Sequence, residues 1–305
     1  MSIILAAGTL CLALTSSFSG VLEPEKVELA YTFRTGETLP YTLTSESTMT
    51  QIMPGHVVSM SDETVSQITR EHVGTKDDGS LIIRQRVSSF TMTENSPSGQ
   101  FTFDSENDED AGKRSDPRVQ SLVVTQPWET QYVLTPSGDV VGVENLDEIQ
   151  AKINAVAAAG LRAEIEESFS EMALIREVEP FIDVLPESPV GKGDTWVKVF
   201  KVNDDEMKMT ATQNMEVVSL LDWKDGHYVH VKFEGQLDMT LPEEFPPFMK
   251  VTEQTIKGFY IFNTHYGTVT EYSGNMSFRF EGSPGEGLGD ILMTLSMGMS
   301  YELNN

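Results

Sequence analysis

Val229-His230-Val231-Lys232-Phe233-Glu234-Gly235-Gln236-Leu237-Asp238-Met239-Thr240-Leu241 alternates apolar with polar residues at nearly every step. Successive side chains of a β-strand point to opposite faces. Val229, Val231, Phe233, Leu237, Met239 and Leu241 therefore share one face, and His230, Lys232, Glu234, Gln236, Asp238 and Thr240 share the other. A strand that buries one side and wets the other belongs to an antiparallel sheet.

The same scheme recurs in both directions from this stretch. Upstream, Val27, Leu29, Tyr31 and Phe33 alternate with Glu28, Ala30, Thr32 and Arg34, which predicts a strand. Downstream, Ile291, Met293, Leu295, Met297, Met299, Tyr301 and Leu303 form one face of another. Turn residues separate the runs at Pro54-Gly55, Asp77-Asp78-Gly79, Ser96-Pro97-Ser98-Gly99, Pro136-Ser137-Gly138-Asp139 and Asp225-Gly226. Runs such as 205–221 and 269–281 are long, and a strand of about 15 residues reaches ~50 Å. Sheets of that length coil or bend, usually at bulges. In 80–93 the apolar phase slips from Leu81, Ile83 and Val87 to Phe90 and Met92, as a bulge requires.

The middle of the chain changes period. Asn145 with Glu148 fits a capping box. Leu146, Ile149, Ile153 and Val156 follow at helical spacing, Gly160 interrupts, and Leu161, Ile165, Phe169, Met172, Ile175 and Val178 continue up to Pro180. Two helices of about 20 and 30 Å result, each with one apolar stripe that needs a partner surface. The expected fold is a β-rich α+β protein: a strongly curved antiparallel sheet, as a half-barrel or two similar β-halves, with a two-helix insert packed on its concave side. Its divisions are a signal peptide at 1–19, an N-terminal β-half at 20–145, the helical insert at 146–185 and a C-terminal β-half at 186–305. The halves form one continuous domain. Paired motifs suggest a repeat: Gly36-Glu37-Thr38-Leu39 with Gly193-Asp194-Thr195-Trp196, and Thr135-Pro136-Ser137-Gly138-Asp139-Val140 with Thr264-His265-Tyr266-Gly267-Thr268-Val269.

Ile3 to Leu14 is an apolar run of the length of a leader's core, followed by Thr15-Ser16-Ser17-Phe18-Ser19 with small residues suited to cleavage after Ser19. No Lys or Arg precedes it. The run is short of the ~20 residues that span a bilayer. Export to the periplasm or the extracellular space is the expectation. Cys11 is the only cysteine, so a cleaved chain has no disulfide and no thiol chemistry. Formal charge is -26, from 47 acidic and 21 basic residues. A polyanion is repelled by such a surface, which argues against nucleic-acid binding.

Catalytic and metal signatures are missing. His227 and His230, three apart on a strand, face opposite ways, and cysteine ligands are absent. The polar segment 104–118 is expected to be a solvated loop. Its Asp104, Glu106 and Asp108 fit the first positions of a calcium loop, but Glu109 replaces the required glycine and Ser115 the closing glutamate. No G-x-S-x-G occurs, and Gly285-Glu286-Gly287-Leu288-Gly289 fits no phosphate loop. No cofactor, metal or catalytic residue is expected, and the chain reads as a non-enzymatic protein. What stands out is methionine, 15 residues, with Met207, Met209, Met215, Met239, Met276, Met293, Met297 and Met299 in inward strand phases. Flexible, polarizable thioethers fill a core or adapt to varied apolar ligands. The residues expected to face such a ligand are Ile165, Phe169, Met172, Met207, Met209, Met239 and Met297.

Phe33-Arg34-Thr35-Gly36-Glu37-Thr38, Thr135-Pro136-Ser137-Gly138-Asp139-Val140 and Pro189-Val190-Gly191-Lys192-Gly193-Asp194-Thr195-Trp196 occur in an order that resembles a family of uncharacterised exported bacterial proteins. In outline the arrangement is similar to the lipoprotein-carrier fold, a curved half-barrel with helices in its mouth. That resemblance implies binding of an acyl chain or another apolar ligand and brings no catalytic residues. Three readings follow: a binder of a lipid or apolar small molecule, an envelope or surface module that meets a protein or glycan, and a hydrolase whose site has no sequence signature.

Overall fold

A computed structural model describes residues 26–304 apart from 35, 125, 157–161, 204–207, 224–225, 242–244 and 286–288. The leader with Cys11, the break at Gly160 and Met207 lie outside the described residues.

Among the described residues, twelve strands make one sheet. They are β1 (Thr38–Met53), β2 (His56–Thr75), β3 (Leu81–Ser96), β4 (Gly99–Asp104), β5 (Trp128–Leu134), β6 (Val140–Val143), β7 (Thr195–Asn203), β8 (Lys208–Trp223), β9 (Gly226–Thr240), β10 (Met249–Asn263), β11 (Thr268–Gly282) and β12 (Ile291–Leu303). The spatial order is β6-β5-β3-β2-β1-β12-β11-β10-β9-β8-β7, with β4 paired to β3 off this path. Every pairing is antiparallel. The first and last strands therefore meet in the middle of the sheet, and its open edges are β6 and β7.

The result is a curved open sheet. Register shifts interrupt the ladders of β2 with β3, β5 with β6, β8 with β9 and β10 with β11, and each adds local twist. The phase slip read in 80–93 is one of them. Gln67 pairs with Ser89 and Ile68 with Val87, while Ser88 is left over and donates to the Gln67 carbonyl at 3.1 Å. Inward-facing Gly258 adds a second device. A Cβ there would lie 2.0 Å from the Ser273 carbonyl and 2.5 Å from the Phe233 ring, so the strands coil more tightly than any side chain would permit.

The hairpins of the repeated motif occupy equivalent places. One joins β5 to β6 and the other β10 to β11, in each case the fourth to the fifth strand of its half when β4 is set aside. Both are held by the N-terminal segment. Tyr31 N–H donates to the Pro136 carbonyl at 2.8 Å and Thr32 N–H to the Gly267 carbonyl at 3.0 Å. This segment corrects the strand expected from its alternation. Val27 makes a single bridge with Val190, but residues 28–34 join no ladder. They cross the turns at one end of the sheet, with Leu29, Tyr31 and Phe33 buried as a plug. Alternation records which side chains are covered, and here the cover is the turns at one end of the sheet. Gly267 permits the close approach, since a Cβ would sit 1.8 Å from the Thr32 hydroxyl.

The helical insert differs from the expected pair of helices. It contains α2 (Leu146–Val156), α3 (Arg162–Ser168) and α4 (Glu171–Ile182), preceded earlier in the chain by α1 (Pro117–Val124). The second apolar run is split because Ser170 turns extended and its hydroxyl accepts from Ala173 N–H at 3.3 Å, starting a new helix. Asn145 spends its side chain on β5, accepting from Gln131 N–H at 2.8 Å and donating to the Glu129 carbonyl at 3.1 Å. The segment 104–118 is likewise more ordered than a solvated loop. Asp108–Lys113 forms a 3-10 turn capped by Asn107, and α1 follows. There Asp104 accepts from Glu106 N–H, Asp110 from Asp104 N–H, and Asp116 from Arg118.

Candidate functional site

The core lies between the concave sheet face and the insert. Ile149, Ile153, Ile165, Phe169, Leu174, Val178 and Ile182 pack with Tyr41, Ile68, Tyr132, Val231, Tyr260, Tyr272 and Tyr301. α4 occupies the gap between the sheet's edges. Its first residue, Glu171, accepts from Val143 N–H of β6 at 3.1 Å, and Asp183 at its end accepts from Lys198 Nζ of β7 at 2.6 Å. A helix pinned at both ends leaves room beside it, and an apolar groove runs there.

The groove has two adjoining compartments that share Ser45 and Met299. One, of about 330 Å³, is walled by Phe200, Met209, Ala211, Ile256, Tyr272, Gly274, Met276, Met297 and Met299, with Arg176 of α4 on the helix side. The other, of about 250 Å³, is walled by Leu43, Val87, Phe90, Leu122 and Trp128 together with Glu177. Every described residue of β12 before Tyr301 is half-buried, on both faces. A larger indentation of about 650 Å³ lies outside, between Lys26 and the 185–198 segment, but polar residues such as Glu187, Ser188, Asp194 and Thr195 form much of its wall.

Of the seven residues expected to face a ligand, Met209 and Met297 line the groove. Ile165 and Phe169 are buried in the core instead, Phe169 edge-on to Trp128 at 4.8 Å between ring centres. Met239 pairs with Met209 across β8 and β9 and packs against the same core. Met172 points outward with 60% of its surface exposed, because the new helix that begins at Ser170 rotates it off the apolar face. Met207 is outside the described residues. The wall contributed by Phe200 and Ile256, and the polar residues Arg176, Glu177 and Gln213, were not foreseen. Gln213 did carry a signal, as a polar residue in the same strand phase as Met209, Ala211 and Met215.

Gln213 is 1% exposed, and neither its Oε1 nor its Nε2 has a hydrogen-bond partner. An unpaired buried polar group costs about 1–3 kcal/mol. Elsewhere in the core, tyrosines surround the buried Arg70. The Arg70 guanidinium sits 4.8 Å from the Tyr301 ring centre and 5.2 Å from that of Tyr41, and its Nε donates to Gln85 at 3.0 Å. Tyr260 donates to the Val184 carbonyl at 3.1 Å. Burial holds the phenols of Tyr41, Tyr260 and Tyr272 well above their ordinary range. Glu177 is open to the cavity but ringed by protein, and this desolvation pushes its carboxyl up to about 7 against the opposing pull of Arg70.

The histidines stay apart. His227 Nδ1 lies 3.1 Å from Asp222, and His230 packs edge-on against Phe259. Among the described residues no cluster of His, Cys, Asp or Glu is arranged to hold a metal ion. None of the described helices is long and apolar enough to cross a membrane.

No curated protein matches the chain. Among solved structures, lipovitellin, described for its lipid–protein interactions, is similar at 10% identity and a TM-score of 0.44 over 90% of this chain, which spans only 26% of that one. The COG4313 outer membrane channel of Pseudomonas putida F1 is similar at 7% identity and a TM-score of 0.20, over 89% of this chain and 96% of that one. A DUF1329 family protein of Desulfovibrio piger is similar at 10% identity and a TM-score of 0.13, over 86% and 85%. Residues 78–265, from the β2–β3 turn through the insert to the β10–β11 hairpin, match one family along their whole length, and the chain belongs to it: a family of unknown function (DUF6263).

Proposed function

We propose that this protein is a non-enzymatic binder of an acyl chain or similar apolar ligand, working outside the cytoplasm. The observation that carries the reading is the groove between the concave sheet and α4, with Met209, Met276, Met297 and Met299 on its wall. Its compartments, about 330 and 250 Å³, are of the order of small-molecule sites, which run from about 300 Å³ upward. Thioether side chains re-pack around chains of different length at little cost. Ser47, one of the lining hydroxyls, donates to Asp62, and no histidine lines either compartment among the described residues. The leader-like run at 3–14 supports export.

Titration of the purified protein with a dansyl-labelled undecanoate tests this. Micromolar binding is expected, and Met297→Trp, which fills the groove from a half-buried position, should weaken it at least tenfold with little change in Tm. Absence of binding, or binding that Met297→Trp leaves unchanged, would contradict the reading.

A further inference from the structure

The apolar wall explains how a hydrocarbon would be held, but not why a carboxamide is buried in it. Gln213 lies on β8 opposite Gly235 of β9 and Lys198 of β7. Gly235 offers no side chain, and the Lys198 ammonium is engaged by Asp183. Along its own face the neighbours are Ala211 and Met215. The other polar side chains of its compartment, among them Ser45, Ser47, Arg176 and Asn275, make no hydrogen bond with it. Met or Leu would fit the same strand phase, as Met209 and Met215 do, so the amide marks a point on the β8 wall where polarity is accommodated.

We infer that Gln213 is the polar anchor of the ligand, and that the ligand is a neutral amphiphile: a long hydrocarbon chain carrying a group that both donates and accepts hydrogen bonds, a hydroxyl or a primary amide. This rests on the reading of the groove as an apolar-ligand site and adds the chemistry of the ligand's polar end. A carboxamide presents one acceptor and two donor hydrogens side by side. A simple ester can satisfy only the donors and leaves Oε1 unpaired. An ionised carboxylate does the same and adds repulsion at Oε1. A hydroxyl or a primary amide satisfies both atoms. Arg176 lines the same compartment from α4 and is the residue a carboxylate would choose, but its charge is shared with Glu179 on the same helix.

Competition against the dansyl probe with four sixteen-carbon compounds tests the inference: 1-monopalmitoylglycerol, palmitamide, methyl palmitate and palmitate. The wild-type protein should bind the glyceride and the amide about tenfold more tightly than methyl palmitate, the worth of one buried hydrogen bond. Gln213→Met, with Gln213→Leu measured beside it, should erase that difference, affect methyl palmitate less than the glyceride and the amide, and raise the Tm of the empty protein. An unaltered ranking in both variants would overturn the inference while the probe still binds. So would palmitate binding most tightly and losing its advantage in Arg176→Gln. Failure of the probe and of all four compounds to bind would overturn the apolar-site reading itself, and the anchor with it.

Discussion

Arg70, buried, and Glu177, open to the cavity, show two ways of holding a charge beside this protein's core. Arg70 is surrounded by aromatic faces and one amide, and a desolvated cation over aromatic rings gains about 2 kcal/mol. Its position in β2, in phase with Ile68 and His72, gave no warning of burial, because strand phase alone does not separate a buried arginine from an exposed one. Glu177 has no such compensation. Its carboxyl is raised from 4.5 to about 7 by desolvation, outweighing Arg70. The unfolded chain ionises this group near its ordinary value while the folded chain still holds the proton. Folding stability should therefore fall as pH rises from about 4.5 to about 7, and stay reduced above that. Glu177→Gln should raise Tm at pH 8 and have no effect near pH 4, as scanning calorimetry would read. Water in the cavity screens part of the effect, so the shift is small. A variant less stable than wild type at pH 8 would contradict this.

Elements were legible where one physical cause sets the pattern. Val229, Val231 and Phe233 alternate because one face of β9 is buried, and the slip at Ser88 showed in the apolar phase because an extra residue moves every later side chain to the other face. Two causes blurred other segments. Leu29, Tyr31 and Phe33 alternate like a strand although turns, not a ladder, cover them. Ile165, Phe169 and Met172 continue a helical spacing through Phe169-Ser170, where a cap restarts the helix. Periodicity reports the covered face and is blind to where the chain pauses. The groove was half legible for the same reason: Met209 and Met297 follow from strand phase, whereas Arg176 and Glu177 depend on how α4 is rotated. Ser170→Ala should cost about 1 kcal/mol by chemical denaturation, and an unchanged midpoint would mean that the cap does not hold α4. Gly258→Ala should cost more, about 1–3 kcal/mol, because its methyl group meets the Ser273 backbone. Full stability there would mean that the sheet is flatter than described.

At the scale of the molecule, one choice of pairing decides the rest. Because β1 pairs with β12, the sheet opens between β6 and β7 rather than at the chain's ends. The insert connects those two strands in sequence, so it falls into the gap between them. Glu171 and Asp183 fasten α4 to the two edges, and the N-terminal strap closes the end where both repeat hairpins lie. Among the described residues, the Met-lined side of α4 is an accessible apolar part of this interior. Its worth as a binding site stands or falls on occupancy. Native mass spectrometry of protein purified without detergent from cells that produce it is the most direct measurement. The account predicts a population heavier than the polypeptide by several hundred daltons, returned to the bare mass by chloroform–methanol extraction and absent in Met297→Trp. A bare polypeptide mass in every preparation, with no uptake of added monopalmitoylglycerol, would contradict it.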